Sequence, residues 1–290
     1  MACCFPKIYN GVLCPCGKCQ GCLKTRRSVW ATRLILESYC HDNSTNYFLT
    51  LTYNEENYPS DGCVDVREVQ LFLKRLRKKC GSFRYAAVGE YGKTTLRAHY
   101  HLILFGFTGT REDIECAWAR GFIKLGDVNP ASVQYVCKYV AKMYDKEWKE
   151  YVKNQGRAPE FLLTSRRPGI GFPFVERLCN MMAFRRLQYV PSFVRIGGRF
   201  FVLGRYLRSK IQDLIGVTDD EKRLRVAALR EELLHMLSDY CNTTVSPEMF
   251  ATMMDDIDLK SKYIWPFLYS QSRPDKDLFY KQQNECRGVL

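Results

Sequence analysis

RYAAVGEYGKTTLRAHYHLILFGF, residues 84–107, is the stretch of sequence that decides the predicted fold. Aromatic and aliphatic residues dominate its two ends, at 84–91 and 98–107, which favours two β-strands. The polar link GKTTLR at 92–97 is short enough to join them as an antiparallel hairpin. An antiparallel sheet is therefore expected at the centre of the fold.

Two histidines lie two positions apart in the second predicted strand. Because alternate side chains of a strand point to the same face, His99 and His101 are expected to converge. A hairpin centred near Thr94 and Thr95 places Glu90 roughly opposite them. Two imidazoles and a carboxylate, with open positions for a substrate, suit several divalent metals. Non-haem iron oxygenases use the same ligand set, but that alternative does not explain the basic composition described below.

Patterns on both sides of the hairpin add helices and two more strands. Helices are predicted at 23–39, 65–79, 111–119 and 130–144, and strands at 47–53 and 121–128. Asp65 suits an N-cap and Pro130 suits the first turn of a helix. The order α-β-α-β-β-α-β-α predicts an α+β fold, an antiparallel sheet backed by helices. The weaker patterns after residue 145 predict a polar loop touching the core at 146–175, a hairpin at 193–203 and a charged helix at 219–238.

The predicted organisation has three segments. Residues 1–22 form a cysteine-rich segment, residues 23–207 form the main folded domain, and residues 208–290 form a partly helical C-terminal extension. Neither an internal repeat nor a low-complexity segment is found.

The composition favours a nucleic-acid partner. Lysine and arginine exceed aspartate and glutamate by 44 − 31 = 13, and a protein this basic attracts polyanions. No apolar run approaches the roughly 20 residues of a membrane span, and MACCFPKIYN lacks the layout of a secretion signal, so a cytoplasmic protein without a membrane partner is expected. Candidate phosphate contacts are Arg26, Arg27, Arg33, Lys74, Arg75, Arg77, Lys78 and Lys79. Candidates for stacking on unpaired bases are Tyr91, Tyr100 and Phe105, although a core role is expected for Phe105.

Cysteines are concentrated at the start of the chain. Six of the 14 fall in the first 22 residues: Cys3, Cys4, Cys14, Cys16, Cys19 and Cys22. Without a sign of secretion, reduced thiols and metal ligation are expected rather than disulfides. The Cys16-x-x-Cys19-x-x-Cys22 spacing, with Cys14, Cys4 or Cys3 as a fourth ligand, predicts a structural Zn²⁺ site. A loop of free thiols is the alternative.

Tyr135 and Tyr139 lie four residues apart in the predicted helix at 130–144, so both phenols project from one face. Lys138 and Lys142 each follow a tyrosine by three positions. Tyrosine is a poor nucleophile near neutral pH because its pKa is about 10. A metal on the phosphate oxygens makes phosphorus more electrophilic, and a lysine can stabilise phenolate or phosphate. The pattern predicts attack on a phosphodiester, giving a 5′-phosphotyrosine link and a free 3′-hydroxyl. Ordinary packing of the two tyrosines is the alternative.

Several blocks of the sequence, taken in order, resemble one known group of proteins. His99-Tyr100-His101 matches the signature of HUH endonucleases. The surrounding blocks resemble the replication initiators of small single-stranded-DNA bacteriophages, in the gokushovirus branch of the Microviridae. They are CGKCQGCLKTRRSVWATR (16–33), FLTLTYN (48–54), GEYGKTTLRAHYHLILFG (89–106), YVCKYVAK (135–142) and PGIG (168–171). The resemblance spans roughly residues 14–207.

The resemblance implies a ferredoxin-like HUH nuclease domain that initiates rolling-circle replication with Mg²⁺ or Mn²⁺. It implies that His99, His101 and Glu90 hold the metal and that Tyr135 and Tyr139 are nucleophiles. Two tyrosines imply alternate use: one nicks, and the other cleaves the regenerated origin, releasing a unit-length circle. Single-stranded DNA, viral origin DNA and a host helicase and polymerase are the implied partners, in the bacterial cytoplasm.

Two positions depart from the pattern of this group. Ala98 stands where proline is expected before the first histidine. LGRYL at 203–207 replaces an expected Leu-Pro-Arg-Tyr-Tyr. Neither change touches a proposed catalytic group.

Two other classes of function remain open. A plasmid relaxase or transposase of the HUH superfamily shares the metal site, and some relaxases also carry paired tyrosines. A non-catalytic, zinc-containing nucleic-acid-binding protein explains the charge, aromatics and cysteines but not His99, His101 and Glu90. Replacing both Tyr135 and Tyr139 by phenylalanine, or adding EDTA, inactivates an enzyme and leaves a binding protein unaffected.

Overall fold

The computed structural model describes residues 3, 5, 7–9, 12–92, 94–184, 190–196, 198–246, 248–250 and 252. They group into two compact units. One spans Thr25–Gly216, and the other joins the chain up to Lys24 with the chain from Val217 onward. The predicted segment boundaries at 22/23 and 207/208 stay predictions. Within the described part of the chain, no helix has the length and apolar character needed to cross a membrane.

Helices and strands alternate along the described chain. The strands are β1 (Lys7–Tyr9), β2 (Val12–Cys14), β3 (Tyr47–Tyr53), β4 (Arg84–Tyr91), β5 (Ala98–Phe105), β6 (Gly121–Asp127), β7 (Phe161–Thr164), β8 (Phe193–Ile196) and β9 (Arg199–Val202). The helices are α1 (Gln20–Ser38), α2 (Val66–Cys80), α3 (Arg111–Trp118), α4 (Pro130–Lys142), α5 (Lys146–Asn154), α6 (Val175–Phe184), α7 (Arg205–Leu214) and α8 (Asp219–Cys241).

The central sheet confirms the predicted α+β class. Five antiparallel strands lie in the order β6-β3-β5-β4-β7. The predicted hairpin forms β4 and β5, and Glu90 pairs with His99 across it. The turn is closed by reciprocal backbone hydrogen bonds, in which Gly92 N–H donates to the Arg97 carbonyl and Leu96 N–H donates to the Gly92 carbonyl.

The two faces of the sheet are covered by different helices. On one face, Leu51, Tyr100 and Leu102 pack with α2 and α3 in the largest core cluster. On the other face, Val88 and Ile103 pack with α1 and α4. Because side chains alternate along a strand, Glu90, His99 and His101 lie on the face that carries α1 and α4.

Helix α2 shows how a predicted element forms. Asp65 is its N-cap, as expected, and its side chain accepts a hydrogen bond of 2.7 Å from Arg67 N–H. Val69, Phe72 and Leu76 are buried along one side, and the lysines and arginines lie on the other. The helix therefore buries an apolar stripe against the sheet and presents its basic side outward.

The prediction of a loop at 146–175 was wrong in part. Helix α5 fills its first third, and β7 adds a fifth strand beside β4, because the short run FLLT has enough apolar side chains to pair at the sheet edge. The SRRPGIGFP loop does touch the core: Ile170 is fully buried, and its carbonyl accepts a 2.9 Å hydrogen bond from Arg33. Glu37 of α1 accepts a 2.6 Å hydrogen bond from Gly171 N–H.

A third core cluster forms near the C-terminal side of this unit. It contains Phe174, Leu178 and Leu207 from α6 and α7, two helices that the sequence patterns did not predict. The predicted hairpin at 193–203 is confirmed as β8 and β9, with residue 197 outside the described chain. Gly204, in the departing LGRYL segment, lies so close to α1 that a Cβ there would meet Val29 Cγ1 at 2.3 Å.

The charged helix predicted at 219–238 is confirmed as α8, and its start is fixed by a capping box. The Thr218 side chain accepts from Glu221 N–H, and the Glu221 side chain accepts from Thr218 N–H. Residues 1–22, predicted to be irregular, contain the β1–β2 hairpin. The rest of the predicted C-terminal extension, from residue 253, lies outside the described residues.

Candidate active site

The pairing of three strands places the predicted metal ligands in neighbouring rows of the sheet. Glu90, His99 and Thr52 are cross-strand partners in one row, and His101 and Thr50 are partners in the next. Partners in one row point to the same face of the sheet. The juxtaposition predicted from the hairpin is therefore present in the backbone register.

Each histidine has one ring nitrogen held by a neighbouring oxygen. His99 Nδ1–H donates to the Arg97 carbonyl over 2.7 Å, and His101 Nδ1 forms a 3.0 Å hydrogen bond with Thr50 Oγ1. Metal-binding histidines commonly donate their second ring N–H in this way, which fixes the ring and the tautomer. Burial lowers the pKa of His99, so its imidazole is neutral at neutral pH. The donor set fits a divalent metal.

The three ligand side chains are not equally close to one another. His101 Nε2 lies 3.2 Å from Glu90 Oε1, and both side chains are about 6% exposed. Among the described residues, only a cysteine cluster has three or more His, Cys, Asp or Glu ligand atoms within 4.8 Å of one another. His99 is thus the outlying member of the histidine and glutamate set, and it would have to rotate toward the other two to share an ion.

Helix α4 brings the two tyrosines against His101. The helix starts at Asn129, whose side chain accepts hydrogen bonds from the first turn in a capping box, with Pro130 at the first position. The Tyr139 ring stacks on His101 with centroids 5.0 Å apart, and the Tyr135 ring meets the same imidazole edge-on at 5.2 Å. The predicted nucleophiles and one predicted metal ligand therefore form one aromatic cluster.

The two tyrosines differ in exposure. Tyr135 is 43% exposed, whereas Tyr139 is only 9% exposed. Burial, followed by a hydrogen bond with Tyr135 and the charge of Glu90, raises the pKa of Tyr139 well above the usual value of a phenol. Tyr135 is therefore the phenol that an incoming strand can reach without a change in structure.

The two lysines predicted to act beside the tyrosines have different environments. Lys138 is exposed on α4. Lys142 is largely buried: its ammonium donates to Glu90 Oε2 at 3.4 Å, to the Tyr91 carbonyl at 3.0 Å and to Glu160 Oε1 at 3.0 Å. All three of its protons are used by these acceptors. Lys142 therefore holds Glu90, and a direct contact with a phosphate or a phenolate would break one of these bonds.

Glu160 is a buried acidic residue that the sequence analysis did not identify. Its side chain is 3% exposed, Oε1 accepts from Lys142 and from Tyr91 N–H, and Oε2 is buried without a hydrogen-bond partner. Burial raises the pKa of this carboxyl, while Lys142 acts in the opposite direction. The only signal in the sequence was its position directly before the apolar run of β7, which the analysis assigned to a loop.

The predicted phosphate contacts lie on opposite sides of the sheet. On the site face, the Arg26 guanidinium covers the Tyr144 ring at 3.6 Å, and Arg27 donates to the Gln134 side chain at 3.1 Å. Arg33, also on α1, is held between Trp30 and Tyr206. The α2 cluster lies on the far face and consists of Lys74, Arg75, Arg77, Lys78 and Lys79.

Within the α2 cluster, three side chains already have protein partners. Arg75 donates to the Ala117 carbonyl at 2.7 Å, Arg77 donates to the Phe83 carbonyl at 3.0 Å, and Lys79 pairs with Asp113 at 2.6 Å. Lys74 and Lys78 are exposed. The structure therefore places Arg26 and Arg27, rather than the α2 cluster, on the same face as the tyrosines.

The predicted base-stacking aromatics are all core residues. Tyr91, Tyr100 and Phe105 are fully buried, so the stacking role suggested for the two tyrosines was wrong. Their hydroxyls explain this placement: Tyr91 donates to the Ala158 carbonyl, and Tyr100 accepts from Asp65 N–H. The exposed aromatic that the sequence analysis missed is Phe122, 69% exposed on β6.

Phe122 lies in the same cross-strand row as the metal ligands. It pairs with Thr52, which pairs with His99, which pairs with Glu90. Lys124 occupies the next row on β6, beside Thr50, and is exposed. The β6 side of this face is therefore open to solvent, with one aromatic ring and one ammonium beside the site.

The cysteine cluster has a different membership from the set favoured by the sequence. Cys3, Cys16, Cys19 and Cys22 have sulfur atoms within 4.8 Å of one another. Cys14 is not among them, since it lies in β2, where it pairs with Lys7. Cys4 lies outside the described residues. The position for which the sequence left Cys14, Cys4 or Cys3 open is thus occupied by Cys3.

Comparison with known proteins adds independent information on the segment that contains this site. Residues 46–144 match a family model that describes replication-associated proteins of the ORF2 type. This segment includes Glu90, His99, His101, Tyr135 and Tyr139. The chain is similar to the replication-associated proteins of small bacteriophages. The resemblance inferred from the sequence blocks is confirmed.

Three curated relatives carry this similarity. Replication-associated protein VP4 of Bdellovibrio phage phiMH2K is 33% identical over 44% of this chain and 48% of its own length. Replication-associated protein ORF2 of Spiroplasma virus 4 is 31% identical over 44% and 48% of the two chains. Replication-associated protein ORF4 of Chlamydia phage 1 is 26% identical over 45% and 38%. The chain thus spans about half the length, or less, of the curated relatives it matches. No solved structure gives a significant match.

Proposed function

We propose that this protein initiates rolling-circle replication of a small phage genome by nicking one strand of the viral origin. The similarity to phage replication-associated proteins supports the replication role. The observation that carries the nicking chemistry is the contact of Tyr135 and Tyr139 with His101, 5.2 and 5.0 Å between ring centroids. A nucleophile placed beside a metal-binding histidine is what attack on a phosphodiester requires.

The reaction exchanges one phosphoester for another. A tyrosine Oη attacks phosphorus and loses its proton to water, while the bond between phosphorus and the 3′ oxygen breaks and that oxygen takes up a proton. The products are a 5′-phosphotyrosine link and a free 3′-hydroxyl, which can prime synthesis. Because the link keeps the phosphoester energy, a later attack by a 3′-hydroxyl can rejoin the strand without ATP.

His99, His101 and Glu90 are the proposed ligands of Mg²⁺ or Mn²⁺. When bound, the metal supplies charge stabilisation at the phosphate oxygens and makes phosphorus more electrophilic. The protein's own part is to hold the ligands: Thr50 and the Arg97 carbonyl fix the two imidazoles, and Lys142 holds Glu90. These contacts leave one nitrogen of each ring directed away from its holding oxygen.

The difference in exposure supports an order of action for the two tyrosines. Tyr135, 43% exposed, makes the first attack on the origin. Tyr139, buried behind it, acts on the regenerated origin once Tyr135 carries the DNA and moves from its place in the cluster. The two rings are in edge-to-face contact at 5.0 Å, so displacement of one exposes the other.

Single-stranded DNA is the proposed substrate because the open side of the sheet fits an unpaired strand. Phe122 offers a ring for base stacking and Lys124 a charge for the backbone, in rows that lead to His99 and His101. Arg26 and Arg27 border the tyrosine helix on the same face. A nick supplies a primer but neither unwinding nor synthesis, so a host helicase and polymerase in the bacterial cytoplasm are proposed partners.

The test uses single-stranded oligonucleotides that tile the cognate genome, each with one dye at the 5′ end and another at the 3′ end. With Mn²⁺, we expect one segment to give a shortened 5′-labelled fragment and a 3′-labelled species that migrates with the protein on a denaturing gel. The adduct should be absent in the Tyr135→Phe, Tyr139→Phe double variant and in His99→Ala. Intact binding without cleavage of any segment would instead support the zinc-containing nucleic-acid-binding protein.

A further inference from the structure

We propose that Cys3, Cys16, Cys19 and Cys22 bind one Zn²⁺ ion through four thiolates. Their sulfur atoms all lie within 4.8 Å of one another, and one of them, Cys22, is buried in the first turn of α1. The site is separate from the His99, His101 and Glu90 set, since it lies in the other compact unit of the chain.

The distances between the sulfur atoms fit a single ion. Zinc–sulfur bonds are about 2.3 Å long, so the edges of a tetrahedral four-thiolate site are about 3.8 Å. Cys16 Sγ and Cys22 Sγ are 3.9 Å apart, and Cys3 Sγ and Cys19 Sγ are 3.8 Å apart. These two pairs form opposite edges of one tetrahedron. An iron–sulfur cluster can use the same cysteine spacing, but it places several irons between the thiolates and holds them farther apart.

The backbone around Cys16 is arranged to stabilise sulfur anions. Gly17 adopts a φ of 77°, which glycine accepts without a steric penalty, and the chain turns back after it. Cys19 N–H then donates to Cys16 Sγ at 3.4 Å, and Cys16 N–H donates to Cys3 Sγ at 3.2 Å. Hydrogen bonds of this kind are stronger when the acceptor is charged, so they favour thiolates, the form that binds zinc.

A zinc ion at this site would have a structural role. Four protein ligands fill a tetrahedral coordination shell and leave no position for a substrate. Cys3 precedes the β1–β2 hairpin, whereas Cys22 belongs to α1, so one ion would fasten the start of the chain to the first helix. Such metal binding contributes directly to folding, because the unfolded chain has no preformed site.

The experiment measures bound metal in the full-length protein, purified without chelator, by mass spectrometry of the metal. We expect one zinc per chain in the wild type, in His99→Ala and in Cys14→Ser, the matched control for losing a nearby cysteine. Cys3→Ser and Cys22→Ser should bind zinc roughly tenfold or more weakly in competition with a chromophoric chelator. Retention in His99→Ala separates this site from the proposed catalytic metal, whatever the nuclease assay shows.

X-ray absorption at the zinc edge of the wild-type protein keeps the proposal testable if a cysteine variant does not fold. Four sulfur neighbours at about 2.3 Å are expected. A folded wild-type protein without zinc, with iron in its place, or with disulfides among the four cysteines would overturn the proposal. Loss of zinc in Cys14→Ser with normal binding in Cys3→Ser would overturn the choice of ligands.

Discussion

The imidazole of His101 and the phenol of Tyr139 stack face to face, with ring centroids 5.0 Å apart and planes 11° from parallel. The strand places His101 on the face of the sheet that α4 covers, and the helix turns Tyr139 toward it. Tyr135, one turn earlier, closes the same cluster edge-on. The arrangement joins a proposed metal ligand to two proposed nucleophiles and leads to separate expectations for each tyrosine.

Replacing each tyrosine by phenylalanine should separate the two transfer steps. We expect Tyr135→Phe to abolish the first protein–DNA adduct, because Tyr139 is 9% exposed and its phenol has a raised pKa. Tyr139→Phe should nick a single origin normally but fail to release circles from a substrate with two origins. The readouts are the adduct on a denaturing gel and the circular product. Equal loss of the first adduct in both variants would contradict the proposed order.

Glu160→Gln should weaken the proposed metal site without removing any of its ligands. Lys142 loses one of its two carboxylate partners and pairs more closely with Glu90, which then competes less well for Mn²⁺. Replacing one member of this buried network should also cost about 1–3 kcal/mol of unfolding free energy. Calorimetric titration with Mn²⁺ and urea unfolding measure the two effects. Glu150→Gln, an exposed change on α5, is the control, and an equal change in Mn²⁺ affinity there would count against a positioning role for Glu160.

Phe122→Ala should weaken binding of single-stranded DNA while leaving stability almost unchanged. The side chain is 69% exposed, and loss of one base-stacking contact costs about 1–3 kcal/mol, or roughly a 5- to 150-fold rise in Kd. Phe184→Ala is the matched control, since Phe184 is 89% exposed on α6. Fluorescence anisotropy with a short origin oligonucleotide measures both. Similar Kd values for Phe122→Ala and the wild type would show that the strand does not cross this part of the sheet.

The two groups of basic residues should contribute differently to binding of a short strand at the site. Arg27→Ala, on the tyrosine face, should raise Kd and reduce the slope of log K against log salt by about one. The double variant Lys74→Ala, Lys78→Ala should leave both quantities unchanged, because α2 lies on the opposite face of the sheet. A binding titration at several salt concentrations makes the comparison. A larger effect from the α2 lysines would place the strand on the other face.

Asp113→Asn should lower stability in a pH-dependent way. Lys79 and the Thr110 N–H hold the pKa of Asp113 at about 2, below its usual value in an unfolded chain. A lowered folded-state pKa contributes stability above the unfolded pKa of about 4, and this contribution is lost as the pH falls toward 2. The difference in urea midpoint between wild type and variant should therefore be largest near neutral pH and shrink below pH 4. A difference independent of pH would assign the effect to the helix cap alone.

The sequence by itself determined the local elements and the register around the site. Alternation in 84–107 and a six-residue link specify a hairpin, and its pairing puts Glu90 opposite His99 because a strand has a period of two. The strand at 47–53 and the start of α4 at Pro130 also follow from local signals. Spacing along a helix put Tyr135 and Tyr139 on one face for the same kind of reason.

Only the tertiary structure decided which distant groups meet. Cys3 rather than Cys14 joins the cysteine cluster, Glu160 reaches Lys142 from an edge strand, and Phe122 is exposed while Tyr100 is buried. No periodicity encodes such contacts, since they depend on which helix covers each half of a sheet face and on how loops close between elements. Local patterns fix the direction of a side chain relative to its own strand or helix, and packing fixes what that side chain touches.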